Sequence, residues 1–211
     1  MANTAAINGI NGLRAIRRSP ASHLAATLDS GSVQGKVVLT EGPFQTMAGV
    51  RVDPRSEEGS RIAGVAGSLP VRSGEVGGAD GVSVLWLGPS EFLVVAPEEA
   101  HDSLGGGLIG SLMAALGDAP GQVVDLSANR TTFELSGPQA QAVLEKGCAL
   151  DLHPRSFAPG TALTTEVGNI PVVLQKTGQD SFRLFPRASF ADFLGRWLLD
   201  AMREFASPEV P

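Results

Sequence analysis

The sequence predicts an α+β protein of two similar lobes, each a mostly antiparallel sheet with helices on one face. Three observations carry that expectation. Val84 to Pro97 alternates around Gly88-Pro89-Ser90 as a tight hairpin does, with Val84, Trp86, Glu91, Leu93 and Val95 as its half-buried positions. One helix-length later, Val123 to Ala140 repeats that grammar. Ser90 to Pro97 also aligns, with one residue of slack, on Asp180 to Pro186, and each stretch is a strand that closes on proline before an amphipathic helix. Helices spaced in this way pack on one face of an antiparallel sheet.

Met1 to about Gly35 is rich in Asn, Ala, Ser and Gly, with a weakly helical patch at Leu13 and Ile16 and a break at Ser19-Pro20. It reads as an N-terminal arm. Such a segment buries too little by itself to offset an ordering entropy of about 1–2 kcal/mol per residue, so it is expected to lie against another body if ordered. Lys36 to Thr40 and Gln45 to Val52 read as strands, and Asp53 to Ser60 and Ser73 to Gly81 as polar, glycine-bearing loops. Pro97-Glu98-Glu99 is expected to open a helix, proline suiting the first turn and carboxylates the positive end of the macrodipole. Its apolar stripe is Leu104, Leu108 and Leu112, flanked by Ile109, Met113 and Leu116, and Gly117 ends it. Gly105, Gly106, Gly107 and Gly110 each cost about 1 kcal/mol against alanine in a helix interior, so this helix depends on packing.

Val123 to Leu126 and Thr131 to Leu135 are expected as strands around Ser127 to Arg130. Ser136-Gly137-Pro138 opens a short helix that turns Ala140, Val143 and Leu144 inward before Gly147. Ala162 to Val167 and Ile170 to Gln175 pair across Gly168-Asn169, and Ser181 to Phe185 returns after Gly178-Gln179-Asp180. The last helix is expected from Ser189, with Asp192 completing a capping box. Phe190, Phe193, Leu194, Trp197, Leu198, Ala201 and Met202 form its apolar face, and Phe205 extends it. The organisation that follows is an arm over 1–35, a body over 36–205 with lobes at 36–120 and 121–205, and a tail over 206–211.

With 211 residues and 43% hydrophobic content, the chain has ample material for a core. The net charge of −6 scatters 16 basic residues among 22 acidic ones, unlike a nucleic-acid footprint, and 5% aromatic content without tyrosine disfavours a base-stacking platform. Arg14, Arg17 and Arg18 form one short basic cluster, read as a solvated arm in preference to a grip for an acidic partner or phosphate. A single cysteine, Cys148, allows no internal disulfide. No apolar signal region and no window of about 20 apolar residues occurs, so the expected location is cytoplasmic, away from membranes.

Motifs for chemistry are sparse. No glycine-rich dinucleotide or phosphate loop is present, and no Cys or His pair stands at metal spacing. His23, His101 and His153 are expected to be solvated or locally hydrogen-bonded rather than metal or acid–base groups. Asp125, Asn129 and Arg130 form the most polar constellation near the core, and two readings stand: the mouth of a pocket, or a strand-end turn held by Asx hydrogen bonds and an arginine pair. Trp86, Phe92, Phe133 and Trp197 read as packing, and Cys148 as a small residue after a helix end. No catalytic, cofactor-binding or metal-binding residue is therefore assigned.

VLWLGPSEFLVVAP (Val84 to Pro97) and VVDLSANRTTFELSGPQA (Val123 to Ala140), with the order of elements from about Lys36 to Met202, resemble the aminomethyltransferase-type folate-binding fold. Within it they are most similar to the gamma subunits of heterotetrameric sarcosine oxidase. Lys146-Gly147-Cys148 also resembles the opening of the Lys-Gly-Cys-Tyr signature of a folate-binding iron–sulfur-maturation relative, but Ala149-Leu150-Asp151 departs from it. The gamma resemblance implies a complex whose large alpha subunit binds NAD and tetrahydrofolate and whose beta subunit binds FAD and oxidises sarcosine. It implies FMN between those two, zinc in a small delta subunit, and glycine, hydrogen peroxide and formaldehyde or methylene-tetrahydrofolate as products. This chain is then expected to be non-catalytic and without a cofactor, packed on alpha within an assembly that also contains beta and delta. A folate enzyme of this fold places a carboxylate for the reacting amine deep in its pocket, and no residue here matches that role. The alternatives are a free-standing folate-binding protein or folate-dependent aminomethyltransferase, and a binding module for an unrelated partner.

Overall fold

The computed structural model describes Gly12 and residues 17–206. The expected helical patch at Leu13 and Ile16 and the cluster member Arg14 lie outside the described residues, as do residues 207–211 of the expected tail.

The first half of the chain contributes β1 (Val38–Glu41), β2 (Gln45–Arg51), α2 (Glu57–Ala66), β3 (Val76–Gly77), β4 (Ser83–Gly88), β5 (Glu91–Pro97) and α3 (Leu108–Leu116), preceded by α1 (Ala25–Gly31). The second half contributes β6 (Gln122–Asp125), β7 (Phe133–Ser136), α4 (Ala140–Glu145), β8 (Ala162–Val167), β9 (Ile170–Gly178), β10 (Ser181–Pro186) and α5 (Ala191–Ala206). The strands make two antiparallel five-stranded sheets, ordered β1-β7-β10-β9-β8 and β3-β4-β5-β2-β6. Both halves therefore run strand, strand, helix, three strands, helix. The first strand of each half crosses to the sheet of the other: β1 borders β7, and β6 borders β2.

That exchange corrects the second expected hairpin. Strands β6 and β7 lie in different sheets, and Ser127 to Thr132 carries the chain between them. Alternation marks a half-buried face without naming a partner, and here Phe133 and Leu135 find their ladder on β1 and β10. The hairpins β4–β5 and β8–β9 form as expected. The half-buried alternation expected of the first is corrected: β5 is buried on both faces, Val84 and Trp86 sharing one with Val94 and Phe92 while Leu93 and Val95 turn to the other sheet.

Three layers of contact hold the molecule. Phe133, Leu174, Leu184, Val143, Leu194 and Leu198 fill the space between the first sheet and α1, α4 and α5. Val50, Val94, Ile62 and Leu112 do the same between the second sheet and α2 and α3. Between the sheets, Met47, Leu85, Leu93 and Val95 meet Ala162, Val173 and Phe185. The order is helices, sheet, sheet, helices.

Five further expectations are corrected. The segment assigned to an arm through Gly35 belongs to the core from Ala21 onward, because Ala21, Leu24 and Leu28 share one helical side and are buried. Gly195 of α5 makes room for Leu24, whose Cδ1 would lie 2.9 Å from any Cβ there. The loop expected over Asp53 to Ser60 holds only through Ser56, and Glu57 to Ser60 is the start of α2: the Ser56 hydroxyl accepts from the Gly59 amide at 3.0 Å, Glu57 and Glu58 occupy the first turn, and Ile62 and Ala66 are buried. Gly59, itself on the buried side with Ile62 and Ala66, thins its apolar stripe and hides the period. The helix expected from Pro97 begins only at Leu108, since Gly105 and Gly107 take φ of +90° and +82° after short 3-10 turns, and the Asp102 carboxylate accepts from the Ile109 and Gly110 amides. Ser189 sits inside a 3-10 turn (Ala188–Phe190), not at a capping box, and Asp192 instead bonds His23 and Arg196; on α5, Phe193 points outward at 53% exposure because the expected face spans too wide an arc.

Candidate functional site

The polar constellation of the second half sits where the chain crosses between sheets. Asp125, at the end of β6, accepts from the Ser127 amide through Oδ1 at 2.9 Å and meets His101 Nε2 through Oδ2 at 2.9 Å. His101 Nδ1 accepts from the Ser103 amide at 3.1 Å, so Nε2 carries the proton and donates it to Asp125. Ser103 Oγ lies 2.8 Å from the same Nδ1. Carboxylate, imidazole and hydroxyl thus stand in line, but the amide already occupies Nδ1 and Ser103 is exposed, so the arrangement secures a turn instead of activating a nucleophile. Burial works to raise the Asp125 carboxyl; hydrogen bonds from Ser127 and His101 outweigh it and hold the group below its ordinary range.

Beyond this turn, the Asn129 amide donates to the Leu126 carbonyl and the Asn129 carbonyl accepts from Ala188. Arg130 turns the other way. Its Nη1 donates to the Phe185 carbonyl at 2.7 Å, while its buried Nε has no hydrogen-bond partner among the described residues. Burial first, and the nearby charge of Arg187 second, press its guanidinium below the ordinary arginine value. The constellation therefore divides into a strand-end turn, made by Asp125 and Asn129, and a cavity-facing cation, Arg130.

Arg130 borders a central cavity of about 220 Å³ together with Arg17, Phe44, Met47, Ser127 and Thr132. The N-terminal segment covers it. The Arg17 guanidinium stacks 4.1 Å above the Phe44 ring and reaches Glu98 at 2.5 Å. Glu41 ties the cover down, accepting from the Ser19 hydroxyl at 2.5 Å, the Ala21 amide at 3.0 Å and the Thr131 hydroxyl at 2.6 Å. The wall hydroxyls are spent on the fold: Ser127 accepts from the Met47 amide and Thr132 donates to Gln45. Among the described residues lining this cavity there is no carboxylate.

The three histidines do not converge. His23 meets Asp192 at 2.6 Å, His101 meets Asp125, and His153 Nδ1 accepts from the Arg155 amide at 3.2 Å beside Asp151. Among the described residues, no three His, Cys, Asp or Glu side chains are placed to hold a metal ion. Lys146 donates to the Ala201 carbonyl and pairs with Glu204, and Cys148 is buried with Sγ 3.8 Å from the Thr165 hydroxyl. Phe92 and Phe133 are fully buried, Trp86 is half-buried, and Trp197 lies across Gly147 and Gly168.

Sequence reasoning passed over two groups. Lys176 is fully buried on β9, its Nζ 5.3 Å from the Phe182 ring and without a hydrogen-bond partner among the described residues. Strand parity with the buried Val172 and Leu174 was the signal that placed it inward. Arg187 bridges Arg130 across an isolated antiparallel pair, which no local pattern reveals.

Comparison with known proteins finds relatives of this chain. Residues 61–204 fit the model of the sarcosine oxidase, gamma subunit family. The chain is 52% identical over 197 residues to the sarcosine oxidase subunit gamma of Arthrobacter sp, covering 92% of this chain and 94% of that one. A counterpart from Corynebacterium sp. (strain P-1) is 51% identical over the same shares. Among solved structures, a chain of the heterotetrameric sarcosine oxidase from Corynebacterium sp. U-96 superposes with a TM-score of 0.87 at 48% identity, covering 93% of this chain and 100% of that chain. The glycine cleavage system aminomethyltransferase T from Bartonella henselae superposes with a TM-score of 0.59 at 16% identity, covering 82% of this chain and 48% of that one, which shows a shared fold. With residues 61–204 fitting that family model and relatives about half identical over 92% of this chain, the chain belongs to the sarcosine oxidase gamma subunit family.

Proposed function

We propose that this chain is the non-catalytic gamma subunit of a heterotetrameric sarcosine oxidase, packed on the large alpha subunit and supporting oxidative demethylation of sarcosine. The products are glycine, hydrogen peroxide and formaldehyde or methylene-tetrahydrofolate. Beta and delta subunits complete the assembly, and FAD, FMN, NAD, tetrahydrofolate and zinc are held outside this chain. Its location is the cytoplasm; among the described residues, no helix is long and apolar enough to cross a membrane.

The observation that carries this reading is the likeness to gamma subunits, at about half identity along 92% of this chain and 94% of the relatives' length. The central cavity supports the non-catalytic part. An aminomethyl transferase needs a carboxylate at the reacting amine, and the lining residues offer arginine and hydroxyls already bonded to the main chain, Gln45 or Glu41. The Glu41 carboxylate is taken up by Ser19, Ala21 and Thr131, and Glu41 is not among the residues that line the cavity. A free-standing folate-dependent transferase is the weaker reading for that reason. The test is to purify the chain alone and assay it with sarcosine and tetrahydrofolate while recording its visible spectrum. Neither turnover nor flavin absorbance is expected, and turnover above the buffer rate refutes the non-catalytic assignment.

A further inference from the structure

We propose that the cleft beside Arg130 and Arg187 is the docking site for a carboxylate-bearing segment of another subunit. The inference rests on the reading of this chain as a subunit and names one contact through which it assembles. The cleft, of about 320 Å³, opens at one end of the layer between the sheets. Its floor is the inner face of the second sheet, where Gly49 presents no side chain and Leu93, Leu126 and Val124 are apolar. Its wall is cationic. Arg130 and Arg187 stand on opposed residues of an antiparallel bridge, which sends both side chains to the same side.

Charge accounting at this cleft does not close within the chain. Arg51 and Glu91 also border it, but they satisfy each other at 3.1 Å. Among the described residues, neither Arg130 nor Arg187 has a carboxylate partner, in a protein whose overall charge is −6. Two neighbouring guanidiniums, one of them with a buried, unbonded Nε, repel each other in a medium that screens less than water. A carboxylate accepts a forked pair of N–H donors from such a guanidinium and removes both penalties at once. The apolar floor asks for a hydrophobic group beside that carboxylate.

A polypeptide segment fits this better than a free small acid because the apolar surface continues out of the cleft. Among the described residues, strand β6 pairs only with β2, which leaves its outer edge without a strand partner there, and Val124 on it is 38% exposed. An unpaired edge offers main-chain donors and acceptors to an incoming segment, and the arginines set where its acidic residue must fall.

The test uses the assembled complex, recovered through a tag on this chain, with Arg187→Glu and Arg187→Lys compared against wild type. Arg187 is exposed and its side chain makes no hydrogen bond among the described residues, so both variants are expected to keep the thermal midpoint of the free chain within about 2 °C. Arg187→Glu is expected to weaken retention of the other subunits by roughly tenfold or more, and Arg187→Lys to keep most of it. Phenylglyoxal labelling read by mass should modify Arg187 and Arg130 less in the complex than in the free chain. Wild-type retention by Arg187→Glu, or equal labelling in both states, overturns the proposal while leaving the subunit reading intact. Failure of the wild-type chain to recover any other subunit overturns the subunit reading, and this inference with it.

Discussion

Substituting Gly168 by alanine tests the packing of the last helix on the β8–β9 hairpin. Gly168 and Asn169 take φ of 58° and 65°, the two left-handed residues of a two-residue turn whose register is fixed by Val167 opposite Ile170. A Cβ at Gly168 would lie 2.7 Å from Trp197 Cδ2 and 2.9 Å from Cγ, closer than real contacts allow. The indole has little room to retreat, because Gly147 packs against its far edge, where a Cβ would approach Cζ2 to 2.4 Å. Left-handed backbone costs a non-glycine residue about 1–2 kcal/mol, and overpacking about 1–3 kcal/mol. Their sum is a loss of about 2–5 kcal/mol, or a midpoint drop of roughly 4–20 °C for a chain of this size. Thermal and urea unfolding of Gly168→Ala, Trp197→Ala and the double variant separate the two contributions. With the indole gone, only the backbone cost of about 1–2 kcal/mol should remain, giving a coupling of about 1–3 kcal/mol. A Gly168→Ala loss that is the same in both backgrounds would refute the contact.

Lys176→Met replaces a fully buried amine with an apolar chain of similar length, losing a cation–π contact of about 0.5–2 kcal/mol but also the cost of burying an unpaired charge; unfolding should show unchanged or increased stability, by as much as about 4 kcal/mol, and a clear loss would mean that the amine has a partner. Leu24→Ala should cost about 2–5 kcal/mol because Leu24 is buried against Gly195 of α5, and a stability within 1 kcal/mol of wild type would return the N-terminal segment to the status of a passive arm. For the same reason, deletion through Gln34, which removes Ala21, Leu24 and Leu28 from the core, should abolish cooperative thermal unfolding, and an unchanged transition would contradict the packing of α1.

What was legible in the sequence was local. The β4–β5 and β8–β9 hairpins follow from short turns between apolar runs, although β5 is buried on both faces and not on one, and the repeat of a strand closing on proline recurs in β5 and β10, each followed by a 3-10 turn. The capping signal of α2 was present in Ser56, Glu57 and Glu58, but Gly59 thinned the stripe that a periodicity reading needs. The exchange of β1 and β6 was not legible, because edge pairing is decided by which sheet lies within reach and not by the strand's own pattern. The same limit applies to function. Asp125, Asn129 and Arg130 stood out as a polar run, yet only the fold divides them into a turn and a cavity-facing cation and brings Arg187 beside the latter.

The central claim is that this chain works as a subunit, and isolation of the assembled particle from the source host tests it most directly. The tagged chain should be purified under native conditions, its companions identified by mass, and the particle assayed for sarcosine-dependent hydrogen peroxide formation. The account predicts three larger or smaller companion chains in equal amount with this one, flavin absorbance that the isolated chain lacks, and peroxide production on adding sarcosine. Recovery of the chain alone, or with companions that bind no flavin and do not oxidise sarcosine, would contradict it.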